Sequence, residues 1–188
     1  MTEIYDSPPL KYYKMNKGSQ DISFGTKGAA CFDVAAYLKL EEDSANVVKG
    51  YDRNNQKMVR SINYDRLKTY SDNPLNGYIC IQPKDRILIP SGLILDIPEG
   101  YSVRTHPRSS TGYKIGLHHP HDEGIVDEDY YHELFLLFYN MTNVEVIIHH
   151  NQKIVQAEMI KKPKYQLVET KVEPSQKTDR IGGFGSTS

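Results

Sequence analysis

The chain has 188 residues, with 23 Lys and Arg against 24 Asp and Glu and a net charge of −1, so no global field draws it to nucleic acid or to an anionic membrane. Its length fits one domain with a sizeable core. No apolar run approaches the ~20 residues of a membrane span, and the polar residues 1–6 lack the apolar stretch of a signal peptide. Cys31 and Cys80 are too few and too unpatterned for a disulfide framework or a thiolate metal site. The reading is a soluble intracellular protein, cytoplasmic, in which Asn140-Met141-Thr142 is a chance match to a glycosylation sequon.

Residues 1–27 are polar and carry Pro8 and Pro9, which predicts an irregular arm with one short strand over 10–15. Over 29–40 the apolar Ala29, Ala30, Phe32, Val34, Ala35 and Leu38 enclose a single acid, Asp33; a carboxylate in that company needs a backbone amide or a lysine as partner. Residues 41–77 are charged and Asn-rich, broken by Gly50, Asn54-Asn55, Asp72-Asn73-Pro74 and Asn76-Gly77. They read as an excursion with a small core contribution, holding a hairpin through 58–62 or a short helix near 64–69. Short apolar runs then recur at 78–81, 86–89, 93–97, 101–104, 134–139, 144–148, 153–160 and 165–168, separated by Pro83, Pro90, Gly92, Pro98 and Gly100. No stripe of helical period accompanies them, so the class is all-β, a sandwich or jelly roll.

Residues 124–140 join an acidic turn to a long apolar run. Residues 134–139 have the content of a strand buried on both faces, and Asp127, Glu128 and Asp129 sit where a hairpin tip precedes it. A carboxylate held on such a turn and open to water can serve as a general base. Arg108-Ser109-Ser110-Thr111-Gly112 offers a guanidinium, three hydroxyls and backbone amides to a phosphate. Residues 180–188 place Arg180 and Phe184 among glycines that let an anion approach the backbone, without the lysine of a Walker loop. His118, His119 and His121, like His149-His150, are spaced poorly for joint chelation on strands, where neighbours face opposite ways.

Taken together these residues resemble the trimeric dUTPase family, with five motifs in order: residues 30–34, 107–110, 124–130, 151–156 and the Gly-Gly-Phe-Gly-Ser-Thr tail. The resemblance covers 28–40 and 78–188, and makes 41–77 an insertion in a single domain of a dUTPase-type jelly-roll barrel or sandwich. It implies a homotrimer with active sites at subunit interfaces, and a C-terminal arm, 176–188, that closes over the site. The implied reaction is hydrolysis of dUTP to dUMP and pyrophosphate, with Mg²⁺ held by substrate phosphates and waters rather than by a protein cage. By the same resemblance Asp127 and Asp33 are the catalytic acids: Asp127 is the base that activates water, and Asp33 lies near the magnesium-bound triphosphate. Gly124, Ile125 and Val126 read the uracil edge, with Tyr130 under the deoxyribose. Arg108, Ser109, Ser110, Gln156 and Arg180 contact phosphates, Phe184 stacks on the base, and Gly185 and Ser186 also bind the substrate. Cys31, His132 and the Asp179-Arg180 pair depart from the family's usual residues. A related dCTP deaminase would need a catalytic Glu where Leu137 stands and an Arg where Tyr113 stands. A second kind of function is a regulatory protein that grips a protein partner through 41–77, where Tyr51, Tyr64 and Tyr70 are available as anchors.

Overall fold

The computed structural model describes residues 7–39, 45–63 and 77–179. In chain order the strands are β1 (Lys11–Lys14), β2 (Ser23–Phe24), β3 (Phe32–Ala35), β4 (Val47–Tyr51), β5 (Lys57–Ser61), β6 (Tyr78–Ile81) and β7 (Arg86–Pro90). They continue as β8 (Leu93–Asp96), β9 (Tyr101–Pro107), β10 (Leu117–His118), β11 (Gly124–Val126), β12 (Phe135–Asn140), β13 (Val146–His149) and β14 (Lys153–Lys161). One helical turn, Thr111–Ile115, interrupts them. The antiparallel strands build two five-stranded sheets, ordered β10-β12-β7-β4-β5 and β11-β9-β14-β3-β2, with the ribbons β1-β8 and β13-β6 beside them. The arrangement is a sandwich, not a closed barrel. One apolar cluster draws Ile87, Ile89, Leu136 and Phe138 from the first sheet and Val34, Val103, Val155 and Ala157 from the second.

Strands follow from alternation. In β12 Leu136 and Phe138 are buried while Phe135 is 43% exposed, so its inward face is apolar and its outer face remains open. The expectation of a strand buried on both faces is therefore corrected: unbroken hydrophobicity in the sequence conceals a one-sided burial. The acidic turn is also not the tip of a paired hairpin. β11 pairs with β9, whereas β12 pairs with β7 and β10, so Asp127, Glu128 and Asp129 carry the chain from one sheet to the other. The run at 165–168 forms no strand; Tyr165, Leu167 and Val168 are each at least 75% exposed. Asn140 is wholly buried, its amide donating to the carbonyls of Ile81 and Val144, which leaves the sequon no exposed acceptor.

The excursion is more deeply built in than its composition suggests. β4 and β5 form a hairpin that extends the first sheet through β7, and Val48 joins the core at 2% exposure. Gly50 permits this pairing, because a Cβ there would lie 2.1 Å from the Arg86 carbonyl oxygen. From β5, Arg60 donates through Nε and Nη2 to Asp85 Oδ2 at 3.1 and 2.6 Å, and Asp85 is 2% exposed. The expected helix near 64–69 lies outside the described residues.

Removing that guanidinium strands a buried carboxylate, a costly state. Arg60→Ala should destabilise the protein by about 2–3 kcal/mol, read as a lower urea midpoint at unchanged slope. A midpoint equal to wild type would show that the pair does not hold the hairpin to the core.

Candidate active site

Two groups of side chains are distributed along β9. At its C-terminal end stands a basic cluster around Asp33, which is 9% exposed in the fully buried β3. Arg108 Nε donates to Asp33 Oδ1 at 2.9 Å and Lys153 Nζ to Oδ2 at 3.2 Å. Arg108 Nη1 reaches the Lys153 carbonyl at 3.3 Å, and the Arg108 amide donates to the Ile154 carbonyl at 3.2 Å. The expected need of Asp33 for a cationic partner is met twice. Two cations on one acid leave a net positive charge, and both are half-buried, which suits an incoming anion.

Gln156 lies opposite Asp33 across β3–β14 and donates its amide to the Pro107 carbonyl at 3.3 Å. Ser109, exposed, and Ser110, half-buried, follow Arg108 directly. Thr111 turns inward, its buried hydroxyl donating to the Ile154 carbonyl at 2.9 Å, so it drops out of the predicted trio of phosphate-facing hydroxyls. Lys153 is the residue that sequence reasoning missed. The β3–β14 register shifts between Lys153 and Val155, and a bulge of this kind re-aims a side chain. Strict alternation would have set Lys153 on the face opposite Gln156; its place beside Gln156 in one motif was the available signal.

Alongside β9 and β11 lies a cleft of about 350 Å³ bordered by Thr105, Gly124, Val126, Asp127, Tyr130 and Leu137, with Ile125, His119, Leu134 and Phe135 also on its wall. Gly124 pairs with Thr105, and a Cβ on it would lie 2.1 Å from the Thr105 hydroxyl. Glycine lets the two backbones close there, leaving the strand surface narrow and planar. Asp127 is exposed at the exit of β11. Its turn is fixed from three sides. The Tyr130 amide donates to the Asp127 carbonyl at 3.1 Å, and the Tyr130 hydroxyl to the Glu133 carbonyl at 2.9 Å. Glu133 Oε1 accepts from the Gly92 amide at 2.7 Å. Glu128 accepts from Lys162 Nζ at 3.0 Å and from the Gly100 amide at 2.5 Å, and these partners hold its carboxyl below the ordinary range. His132 packs edge-on against Tyr130 at 5.7 Å, so the departure at that position supports the ring expected beneath the sugar.

Across β9, Val126 faces Val103 and Gly124 faces Thr105, which sets Asp127 beyond Val103 while Arg108 lies past the strand's other end. Five or six residues of strand separate them, about 15–20 Å at the usual rise. Asp33 and Gln156 sit with Arg108. The chain therefore brings Asp33, Arg108, Ser109, Ser110 and Gln156 together, and Gly124, Ile125, Val126, Asp127 and Tyr130 together, with Asp127 at the end of its set that lies away from Arg108. Arg180, Phe184, Gly185 and Ser186 lie outside the described residues. Among the described residues no three His, Cys, Asp or Glu side chains gather to hold a metal.

A family model described as dUTPase matches residues 75–188. The chain belongs to the dUTPase family. The deoxyuridine 5'-triphosphate nucleotidohydrolase of Hydrogenobaculum sp. is 35% identical over 113 residues, covering 60% of this chain and 78% of the relative. The protein of the same description from Finegoldia magna is 37% identical over 123 residues, or 64% of this chain and 81% of that one. Among solved structures, the Staphylococcus bacteriophage 80alpha dUTPase with dUpNHpp has a TM-score of 0.66 at 14% identity, covering 97% of this chain and 99% of that one. The dUTPase from phage phi11 of S. aureus has a TM-score of 0.62 at 13% identity, covering 90% of this chain and all of that one. These structures bear out the predicted fold class. Residues 30–34, the first of the five motifs, precede the matched range.

Two histidines give the fold a pH signature. Burial lowers His119 to about 4, with His121, His118 and His106 adding to the effect. Burial and then the Lys39 charge lower His150 to about 4, where its Nδ1 accepts from the Leu38 amide at 2.9 Å. Both are neutral when folded, whereas an unfolded histidine titrates near 6.5. Between those values the unfolded chain binds more protons, so stability is full above about pH 6.5 and is lost as the pH falls towards 4. Melting temperature measured from pH 8 to 4 should be level at first and then fall steeply, with a shallower fall in His150→Gln. A profile level through pH 4.5 would contradict the neutral, buried state.

Proposed function

We propose that this chain is a dUTP diphosphatase, hydrolysing dUTP to dUMP and pyrophosphate at sites shared between the subunits of a homotrimer. The observation that carries the reading is the separation of Asp127 from the basic cluster along β9. A narrow planar cleft with an exposed carboxylate suits a pyrimidine and the phosphorus next to its sugar. A basic cluster suits the rest of a triphosphate. A bound triphosphate cannot bridge 15–20 Å of strand, so the cleft of one subunit needs the basic cluster of another. Cyclic symmetry supplies that partner three times over.

In such a site Gly124, Ile125 and Val126 present main-chain groups to the base edge, and Tyr130, tied to Glu133, supports the sugar. Asp127 orients a water towards the α-phosphorus and takes its proton, a contribution of about 10²- to 10⁴-fold. Arg108, Ser109, Ser110 and Gln156 bind phosphate oxygens. Asp33 and Lys153 are positioning residues that aim the Arg108 guanidinium, which modifies the direct role expected of Asp33. Arg180, Phe184, Gly185 and Ser186 complete the reading as an arm over the base. The donor set fits Mg²⁺ that arrives on the nucleotide: both Asp33 oxygens are engaged by cations, and magnesium favours phosphate and water ligands. Bound there, the ion would lower the charge repulsion that opposes attack. Deamination fits less well, because Leu137 lines the cleft where that chemistry needs an acid.

A second role is favoured by one specific observation. The β4–β5 hairpin ends the first sheet at an edge strand whose Val59 is 61% exposed. Among the described residues that strand has no further strand paired beyond it, and such an edge is a ready surface for a protein partner; since β4 pairs with Leu88 on the cleft wall, a partner bound through the 41–77 segment would sit one strand away from the cleft.

Pyrophosphate release should be measured from dUTP, dCTP, dTTP and UTP with magnesium. Release from dUTP alone, reduced at least ~100-fold in Asp127→Asn at similar KM, is the expected result. Equal release from all four, or an unaffected Asp127→Asn, contradicts the assignment.

A further inference from the structure

Lys162 stands outside the five motifs, yet it reaches the turn that carries Asp127. It is the first residue after β14, and its Nζ donates to Glu128 Oε2 at 3.0 Å. Its amide donates to the Gly100 carbonyl at 2.7 Å, while the Gly100 amide donates to the same Glu128 oxygen at 2.5 Å. The β8–β9 turn, the acidic turn and the exit of β14 therefore close into one ring of hydrogen bonds. Both side chains are half-buried, and an ion pair of this kind adds little to folding. Its position gives it another use. Residues 127–129 are three consecutive acids, and among the described residues Lys162 is the one cation paired with them. The remaining charged or titratable groups are set apart from Asp127. Glu133 is bound to the Gly92 amide, His132 packs on Tyr130, and Glu99, Lys161 and Lys164 border the groove around Lys162. A Glu128 without its cation would place an uncancelled negative charge on the residue next to Asp127, and a like charge favours the protonated form of a carboxyl.

We propose that Lys162 is a positioning residue for hydrolysis: acting through Glu128, it holds the acidic turn in place and cancels the charge beside Asp127, so that Asp127 stays ionised as the base. The proposal rests on the role given to Asp127 in the dUTP reading above. Lys162 acts on Asp127 only through Glu128. The Gly100 contacts set the geometry of that intermediary, and the ammonium sets its charge.

The test uses the full chain and the pH profile of kcat/KM for dUTP with magnesium at low salt, whose acid limb reports the essential base of the free enzyme. Lys162→Met leaves Glu128 charged and unpaired, so the acid limb should move to higher pH by roughly half a unit. Glu128→Gln keeps an acceptor for the Gly100 amide, removes the negative charge and leaves the ammonium, so the limb should move about as far to lower pH. Lys162→Arg, which keeps the charge, should retain the wild-type limb. The nucleotide's own titration is common to all four proteins, and a loss of folded protein lowers a profile without moving its limb. A merely structural pair would therefore leave the limb in place. Limbs that stay with wild type, or that move the same way in Lys162→Met and Glu128→Gln, overturn the proposal. Wild-type protein that releases no pyrophosphate from dUTP removes the substrate reading and the proposal with it. That failure is distinguishable from an active enzyme whose acid limb does not respond to either variant.

Discussion

Strand β9 is the constraint on which the rest of the molecule depends. It pairs with β14 over seven positions, from Val155–Pro107 to Lys161–Tyr101, and with β11 over three. β14 in turn carries β3 and Asp33. A side chain's place in the candidate site is therefore a position on this ladder, and the ladder's length sets how far apart the two groups stand. Backbone pairing on both sides also holds the wall of the cleft in place. The Gly124–Thr105 contact cannot open without losing hydrogen bonds along β11 and β9.

Electrostatics then divides the work between the ends. Around Asp33 the charges are coupled, half-buried and surplus positive, the condition under which an anion gains more than it would at an exposed lysine. Around Asp127 the carboxylate stands at the surface while its neighbours Glu128 and Glu133 are committed to the Gly100 and Gly92 amides and to Lys162. Of the four acids in this turn and its exit, the structure thus assigns two to holding the backbone and leaves Asp127 and Asp129 facing solvent.

Much of this was legible in the sequence. Short apolar runs between prolines and glycines marked the strands because burial and turn chemistry act locally, and β6 falls on the expected residues 78–81. The motif residues were readable since each carries its chemistry in its side chain. What remained hidden depends on pairing across the chain. Lys153 reaches Asp33 through a register shift, the 165–168 run has no strand to pair with among the described residues, and Val48 enters the core through a hairpin with polar neighbours. The same holds for Lys162. Nothing in its local sequence marks it, and only the contacts with Glu128 and Gly100 bring it to the turn that carries Asp127.

The division of the site between subunits is tested most directly by mixing two inactive proteins. Arg108→Ala subunits keep Asp127 but lose the guanidinium, and Asp127→Asn subunits keep the basic cluster but lose the base. Unfolded together in equal amounts and refolded, they should regain dUTP hydrolysis at about a quarter of their sites under random trimer assembly, because a cleft from one can meet a basic cluster from the other. A co-refolded mixture no more active than the two variants refolded separately would place both groups of a working site in one chain, and would contradict the account.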